Sequence, residues 1–396
     1  RRCVQRAAAE RLSSKHLPAG DHEWVDGFFQ QRFTKVFDMK KTSLLILVLT
    51  MVCAQPPAPA AEVAEVRIDT GAPPKWKMDP GWDAEHFPEH AVCYKKPKEI
   101  AEIYAQRVVS YPKPEDGSLR IVGTGHSFMA PGYKTFPAIA RAAGFKQPPL
   151  VTHTGGGMTG SAPYKWEQEN GIFRFDGEPR PKMLASLAHA QWDAMMWGPF
   201  YHDRPEYYAC WIDFCLKYNP KMRFYLMNAW PQIGQLHPLP KRDDEMAAAT
   251  IARMGKIKQA PYESIVGELN RKYDNRVFIL PTCEAMVLAA EYFHRGELPG
   301  VEGIHRLAGG KERSLWRDRI GHLGPGMNQL EGYVFYATLY GRSPELIEDV
   351  AFGSGANFPS RKLDRTFRKI AWQAVLACPL SGVVDKNSNG IGDAWE

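Results

Sequence analysis

Three residues whose side chains could share one reaction stand far apart in this chain: Ser127, Asp318 and His322. Ser127 belongs to Gly125-His126-Ser127-Phe128, a glycine-bearing turn between a short apolar run and an amphipathic stretch. A serine there holds its hydroxyl at the edge of a sheet, where its own N–H can help bind an oxyanion. The plainer role for a serine between a glycine and a helix is an N-cap. Asp318 and His322 come from Trp316-Arg-Asp-Arg-Ile-Gly-His-Leu-Gly-Pro-Gly326, a loop punctuated by glycine and proline. A nucleophilic serine needs a base that titrates near neutrality, and a histidine base needs a carboxylate to fix its tautomer. One loop supplies both. The structural alternative pairs Asp318 with Arg317 or Arg319 and has His322 cap a helix starting near Met327.

The elements that must position these groups are legible as alternating patterns. Short apolar runs predict strands over 119–123, 150–153, 194–197, 223–229 and 277–280. Amphipathic stretches predict helices over 135–143, 183–190, 205–218, 243–255, 261–273, 283–295 and 327–340. Strands alternating with helices argue for a parallel sheet covered on both faces, with its sites at the carboxyl ends of the strands. Those ends read Gly125-His126-Ser127, His153-Thr154-Gly155-Gly156-Gly157, Trp197-Gly198 and Asn228-Ala229-Trp230. The triple glycine lacks the Gly-Lys-Ser/Thr ending of a phosphate loop, so a tight turn or close backbone approach to substrate explains it better.

The order of these blocks resembles the SGNH (GDSL-like) hydrolase family over roughly residues 118–345. It is most similar to an exported bacterial branch whose first block reads Gly-His-Ser-Phe, here Gly125-His126-Ser127-Phe128. The segment Tyr336-Ala-Thr-Leu-Tyr-Gly-Arg-Ser-Pro344 looks like that branch too. The resemblance implies a three-layer α/β/α sandwich around a central parallel sheet of about five strands, of flavodoxin-like type. It also implies ester hydrolysis through an acyl-serine, with Ser127 as nucleophile, His322 as base and Asp318 as its orienter.

The chain departs from the family at three points. His126 stands where the family usually has Asp, and Asp318 is four residues before His322 rather than three. The family's third block carries Gly-x-Asn, whose Asn is an oxyanion donor, but here the third strand ends in Gly198-Pro199-Phe200. Asn228 at the next strand end, or the backbone N–H groups of Gly157 and Ser127, would have to take its place. Loss of one such donor costs on the order of 100- to 1000-fold in rate.

Composition narrows the partners. The net charge is +6, but residues 1–61 hold nine Lys/Arg against five Asp/Glu. The other 335 residues therefore carry 41 basic and 39 acidic side chains, which leaves no electrostatic reason to seek nucleic acid. Met39-Lys-Lys41, the apolar run Leu44–Val52 and the small residues up to Ala61 have the layout of a secretory signal peptide. The run is too short to span a bilayer, so no stable membrane insertion is expected after cleavage. Residues 1–38 read as an upstream extension outside the mature protein, 39–61 as the signal, and 62–117 as a Pro- and Trp-rich N-terminal arm. The hydrolase-like domain follows over 118–345, then a helical extension over 346–384 and a possible calcium loop over 385–396. Export to the periplasm or exterior permits disulfides, and a Cys93–Cys378 or Cys93–Cys283 bridge is conceivable. No zinc-ligand spacing occurs.

Two further motifs remain. Trp192, Trp197, Tyr201, Tyr207, Tyr208, Trp211 and Trp230 cluster near the inferred strand ends, either stacking on sugar rings or packing a core. At the C-terminus, Asp385, Asn387, Asn389, Asp393 and Glu396 fall at positions 1, 3, 5, 9 and 12 of a calcium loop, with Gly390 at 6 and the Ile391 carbonyl at 7. With two asparagines the affinity expected is ~10⁻⁴–10⁻³ M; a flexible Asn/Gly-rich tail is the alternative. The ion would be structural, and catalysis needs no cofactor. Altogether the sequence reads as a secreted serine esterase removing a small acyl group from a small-molecule or glycan ester. An acyltransferase using the same acyl-serine, and a non-catalytic carbohydrate-binding protein on a degenerate hydrolase fold, are the alternatives.

Overall fold

A computed structural model of the chain describes residues 108–155, 162–168, 182–200, 203–348 and 358–396, together with 65–66, 98–99, 102, 105 and 160. The signal-like segment, residues 1–38, most of the N-terminal arm, Cys93, Tyr201 and Gly157 lie outside the described residues.

Five short strands form the centre: β1 (Ile121–His126), β2 (Val151–Gly155), β3 (Ala194–Trp197), β4 (Arg223–Met227) and β5 (Val277–Leu280). All are parallel, in the order β2-β1-β3-β4-β5, with Thr124 registered against His153 on one side and Trp197 on the other. This is the flavodoxin-like order, in which the switch point falls beside the first strand. Parallel neighbours need crossovers, and helices make them. Helix α1 (Ala130–Ala142) follows β1, α2 (Ala162–Gln168) and α3 (Lys182–His189) follow β2, and α4 (Pro205–Tyr218) follows β3. Then α5 (Ala248–Lys272) follows β4 and α6 (Thr282–His294) follows β5, with α7 (Asn328–Tyr340) and α8 (Arg361–Ala377) completing the chain.

Side chains alternate along each strand, so the sheet feeds two cores. Ile121, Ala194, Met196, Tyr225, Met227 and Leu280 pack with α1, α6, α7 and α8 on one face. Val122, Met195, Trp197, Phe224, Leu226, Val277 and Ile279 pack with α2, α3, α4 and the second half of α5 on the other. The result is the three-layer α/β/α sandwich that the strand–helix alternation predicts.

Several boundaries differ from the sequence reading. Helix α1 starts at Ala130 rather than Thr135, because Pro131 sits in the first turn, where its missing N–H costs nothing. The pattern predicts two helices over 243–255 and 261–273, but α5 runs unbroken for 25 residues through Pro261. Its Ile251 and Met254 enter one core while Tyr262, Ile265, Val266 and Leu269 enter the other. That burial offsets the ~3 kcal/mol an interior proline costs. Cys283 and Cys378 are buried, and the bridges conceived for them need Cys93, which lies outside the described residues. Trp192, Trp197, Tyr207, Tyr208 and Trp211 are buried in the core, which makes them packing residues rather than sugar platforms. Among the described residues, no helix is long and apolar enough to cross a membrane.

The C-terminal loop is docked rather than loose. The Ser343 N–H donates to the Gly390 carbonyl and the Gly392 N–H to the Gly341 carbonyl, both at 2.7 Å. Trp395 closes over Gly341, where a Cβ would come within 2.2 Å of the indole.

Candidate active site

The carboxyl end of β1 is shaped by a close approach. Gly125 has φ +144°, and a Cβ there would lie 2.8 Å from Met129 Cγ and 3.0 Å from the Gly198 nitrogen. Only glycine lets the ends of β1 and β3 come together while the chain turns into α1. The Met129 N–H donates to the His126 carbonyl at 3.0 Å, closing that turn. Ser127 is left exposed at its apex, ahead of the helix; Met129, not Ser127, is the N-cap residue.

His126, directly before the serine, is buried and has a structural task. Its Nδ1 accepts the Phe128 N–H at 3.3 Å, and its Nε2 donates to the Pro199 carbonyl. The ring thus ties the serine turn to the loop after β3. Burial pushes its pKa down to about 4, so it stays neutral in the one tautomer these partners allow.

Asp318 and His322 lie in a narrow loop after β6 (Gly303–His305) and β7 (Ser314–Trp316). Trp316 bridges Leu323 antiparallel, and the Arg317 N–H donates to the His322 carbonyl at 2.9 Å. Asp318 divides its oxygens. Oδ1 accepts the Gly321 and His322 N–H groups, each at 3.1 Å, while Oδ2 lies 2.7 Å from His322 Nδ1. Burial raises the Asp318 pKa, but the backbone and ring hydrogen bonds from His322 and the Gly321 N–H together outweigh it and hold the carboxyl below its ordinary value. An ionised Asp318 accepts the Nδ1 proton, which leaves Nε2 as an acceptor. That Nε2 stands 2.7 Å from Ser127 Oγ, across 195 residues of sequence. The structure thus brings Ser127, His322 and Asp318 into one continuous relay.

Two residues from the loop after β4 brace this arrangement. Trp230 Nε1 donates to the Gly321 carbonyl at 2.6 Å, and Gln232 Nε2 donates to the Ile320 carbonyl at 2.7 Å. The Trp230 ring also stacks on Phe128 at 4.8 Å, and Phe128 meets His322 edge-on at 5.4 Å. In the sequence Trp230 stands out only as an aromatic, and nothing marks Gln232. A tryptophan or glutamine beyond a strand end carries no local signal of a partner about 90 residues away.

Beside Ser127 and His322 lies a cavity of about 260 Å³, with Phe128, Trp230 and Leu323 as apolar walls and Lys134, Arg317 and Asn328 among its polar lining. Asn228 is not among the residues that line it. Its side chain is buried, donating to Glu284 Oε2 at 2.7 Å and accepting the Cys283 N–H at 2.9 Å. The expectation that Asn228 supplies an oxyanion donor is therefore corrected: its amide anchors the first turn of α6. Gly157, the other candidate, is outside the described residues.

The calcium-loop candidates are gathered at the other end of the chain. The Asn389 N–H donates to Asp385 Oδ1 and to Asn387 Oδ1, and the Ile391 N–H to Asn389 Oδ1. The Asn387 and Asn389 amides both donate to Glu396 Oε1 at 2.7 Å, and Asp393 accepts the Lys386 N–H. Among the described residues, no group of three or more His, Cys, Asp or Glu is arranged to hold a metal ion.

No protein-family model matches the chain, and no curated protein matches it. Among solved structures, the chain is similar to a DUF4886 family protein from Bacteroides uniformis, at 14% identity and a TM-score of 0.40, over 65% of this chain and 95% of that one. It is also similar to the C-terminal catalytic domain of the Streptococcus pneumoniae peptidoglycan O-acetyltransferase A, solved with a methylsulfonyl adduct. There the identity is 11% and the TM-score 0.26, over 56% of this chain and 90% of that one.

Proposed function

We propose that this chain is an exported serine esterase that removes a small acyl group from a carbohydrate by way of an acyl-serine. The observation that carries this reading is the relay itself, with Ser127 Oγ, His322 Nε2, His322 Nδ1 and Asp318 Oδ2 joined by two contacts of 2.7 Å. His322 takes the Ser127 proton as Oγ bonds to the ester carbonyl carbon, then passes that proton to the departing sugar oxygen as the C–O bond breaks. A water molecule, deprotonated by His322, then attacks the acyl carbon, and His322 returns that proton to Ser127 Oγ as the C–O bond to serine breaks and the acid leaves. The 260 Å³ cavity favours a short acyl group, and Lys134, Arg317 and Asn328 in its lining suit a hydroxyl-rich alcohol. Export is proposed from the signal-like segment at 39–61.

Intact-mass labelling with a fluorophosphonate tests the reading. One adduct on the wild type, lost in Ser127→Ala, is the expected result. A well-folded wild type that takes no adduct refutes an activated Ser127. Product analysis with an added sugar acceptor then tells hydrolysis from acyl transfer.

A further inference from the structure

A second, larger cavity lies at the opposite end of the sheet from Ser127. It encloses about 580 Å³ where β1, β3 and β4 begin, and Trp395 of the C-terminal loop forms part of its wall. Because the strands are parallel, Arg120 enters β1 at this end and Ser127 leaves it at the other, six strand residues or ~20 Å away. The cavity shares no lining residue with the relay.

Its charge is one-sided. Four cations line it, Lys113, Arg120, Lys221 and Arg223, against one carboxylate, Asp193. Asp193 pairs with Arg120, whose Nε and Nη2 each approach one of its oxygens at 2.9 Å, while the Arg120 N–H donates to Oδ2 as well; Lys113 also acts on it through space. Arg223 packs over Phe278 and Trp395, each ring centre 5.9 Å from its guanidinium carbon. These rings orient the guanidinium without neutralising it. Lys113, Lys221 and Arg223 form no ion pair with the described residues. Four cations against one carboxylate leave a pocket of small-ligand size net positive, with an indole beside them. Docking the C-terminal loop is what delivers the indole, and Gly341 provides the space for it.

We propose that this pocket binds an anionic carbohydrate unit, its carboxylate or sulfate held by Lys113, Lys221 and Arg223 and its ring laid against Trp395. The site stands independently of the chemistry at Ser127. A polymer held here stays tethered while its esterified part reaches the far end of the sheet.

Calorimetric titration of the full chain carrying Ser127→Ala tests this. The probes are a trigalacturonate, a sulfated disaccharide, neutral maltotriose, sodium sulfate and a short oligonucleotide. One acidic sugar should bind at least about tenfold more tightly than maltotriose, and more weakly as salt rises. Whichever acidic sugar binds tighter identifies the substituent. Lys221→Glu and Lys113→Glu should each weaken that binding about tenfold or more. In the Ser127 background neither should change turnover of p-nitrophenyl acetate. Equal affinity for maltotriose, indifference to both charge reversals, or no binding of any sugar overturns the proposal. So does sulfate alone binding as tightly as a sugar, or the oligonucleotide binding more tightly than either.

Discussion

Asp318→Asn is the sharpest perturbation of the relay, because the two carboxylate oxygens have separate tasks. Oδ1 accepts two backbone N–H groups of its own loop, and Oδ2 faces His322 Nδ1. The asparagine oxygen keeps the two backbone bonds, since turning the amide over would forfeit both at roughly 2 kcal/mol. The loop therefore holds its shape, and an NH2 group now faces Nδ1. Nδ1 must become an acceptor, the ring proton moves to Nε2, and Nε2 can no longer take the Ser127 proton. A wrong-tautomer histidine in a relay of this kind costs on the order of 10⁴ in kcat, about 5 kcal/mol of barrier. The assay is kcat on p-nitrophenyl acetate at pH 8, with thermal melting as the control for folding. The expected result is a kcat lower by about 10⁴ with a melting temperature close to wild type. An asparagine variant within tenfold of wild type, while Ser127→Ala is inactive, would show that Asp318 does not set the tautomer of His322.

Other perturbations separate positioning from folding. Gly125→Ala places a methyl against Met129 and the Gly198 backbone at φ +144°, so it should cost on the order of 3 kcal/mol in stability and abolish turnover; denaturant melts check this. Glu331 of α7 is buried, and burial, offset only in part by the Gly132 N–H, pushes its pKa well above 4.5. The native state then keeps a proton that the unfolded chain gives up, so stability contributed by this group falls as pH rises above 4.5. Glu331→Gln should be more stable than wild type at pH 8 and lose that advantage at pH 4, read from urea midpoints. Calcium at about 10 mM should stabilise the C-terminal loop by about 1–3 kcal/mol, seen as a rise in melting temperature that Asp385→Ala removes. An unchanged melting temperature argues against an ion there, and turnover should not respond to chelation.

Local chemistry determined much of this protein from its sequence. Apolar runs of strand length between helical periods lead to a parallel sheet because backbone pairing and two-faced burial leave few other arrangements. All five strands overlap the predicted runs, although β1 runs over Ile121–His126 rather than 119–123. Ser127 after a glycine turn, and an Asp and His sharing one punctuated loop, were legible because each depends on neighbours a few residues away. What depends on distant partners was decided only by the tertiary structure. Helix α5 runs through Pro261 because two separate cores bury its halves. Asn228 looks like an oxyanion donor at a strand end, but its amide turns to Glu284 and the Cys283 N–H, partners over 50 residues later. The Asp318–His322 loop owes its place to Trp230 and Gln232 across the sheet edge. The cation-lined cavity exists only because the last residues of the chain fold back over the start of β4. Periodicity records which face a residue presents, since that follows from the backbone repeat. It carries nothing about which distant group will meet that face, since that depends on how the layers close.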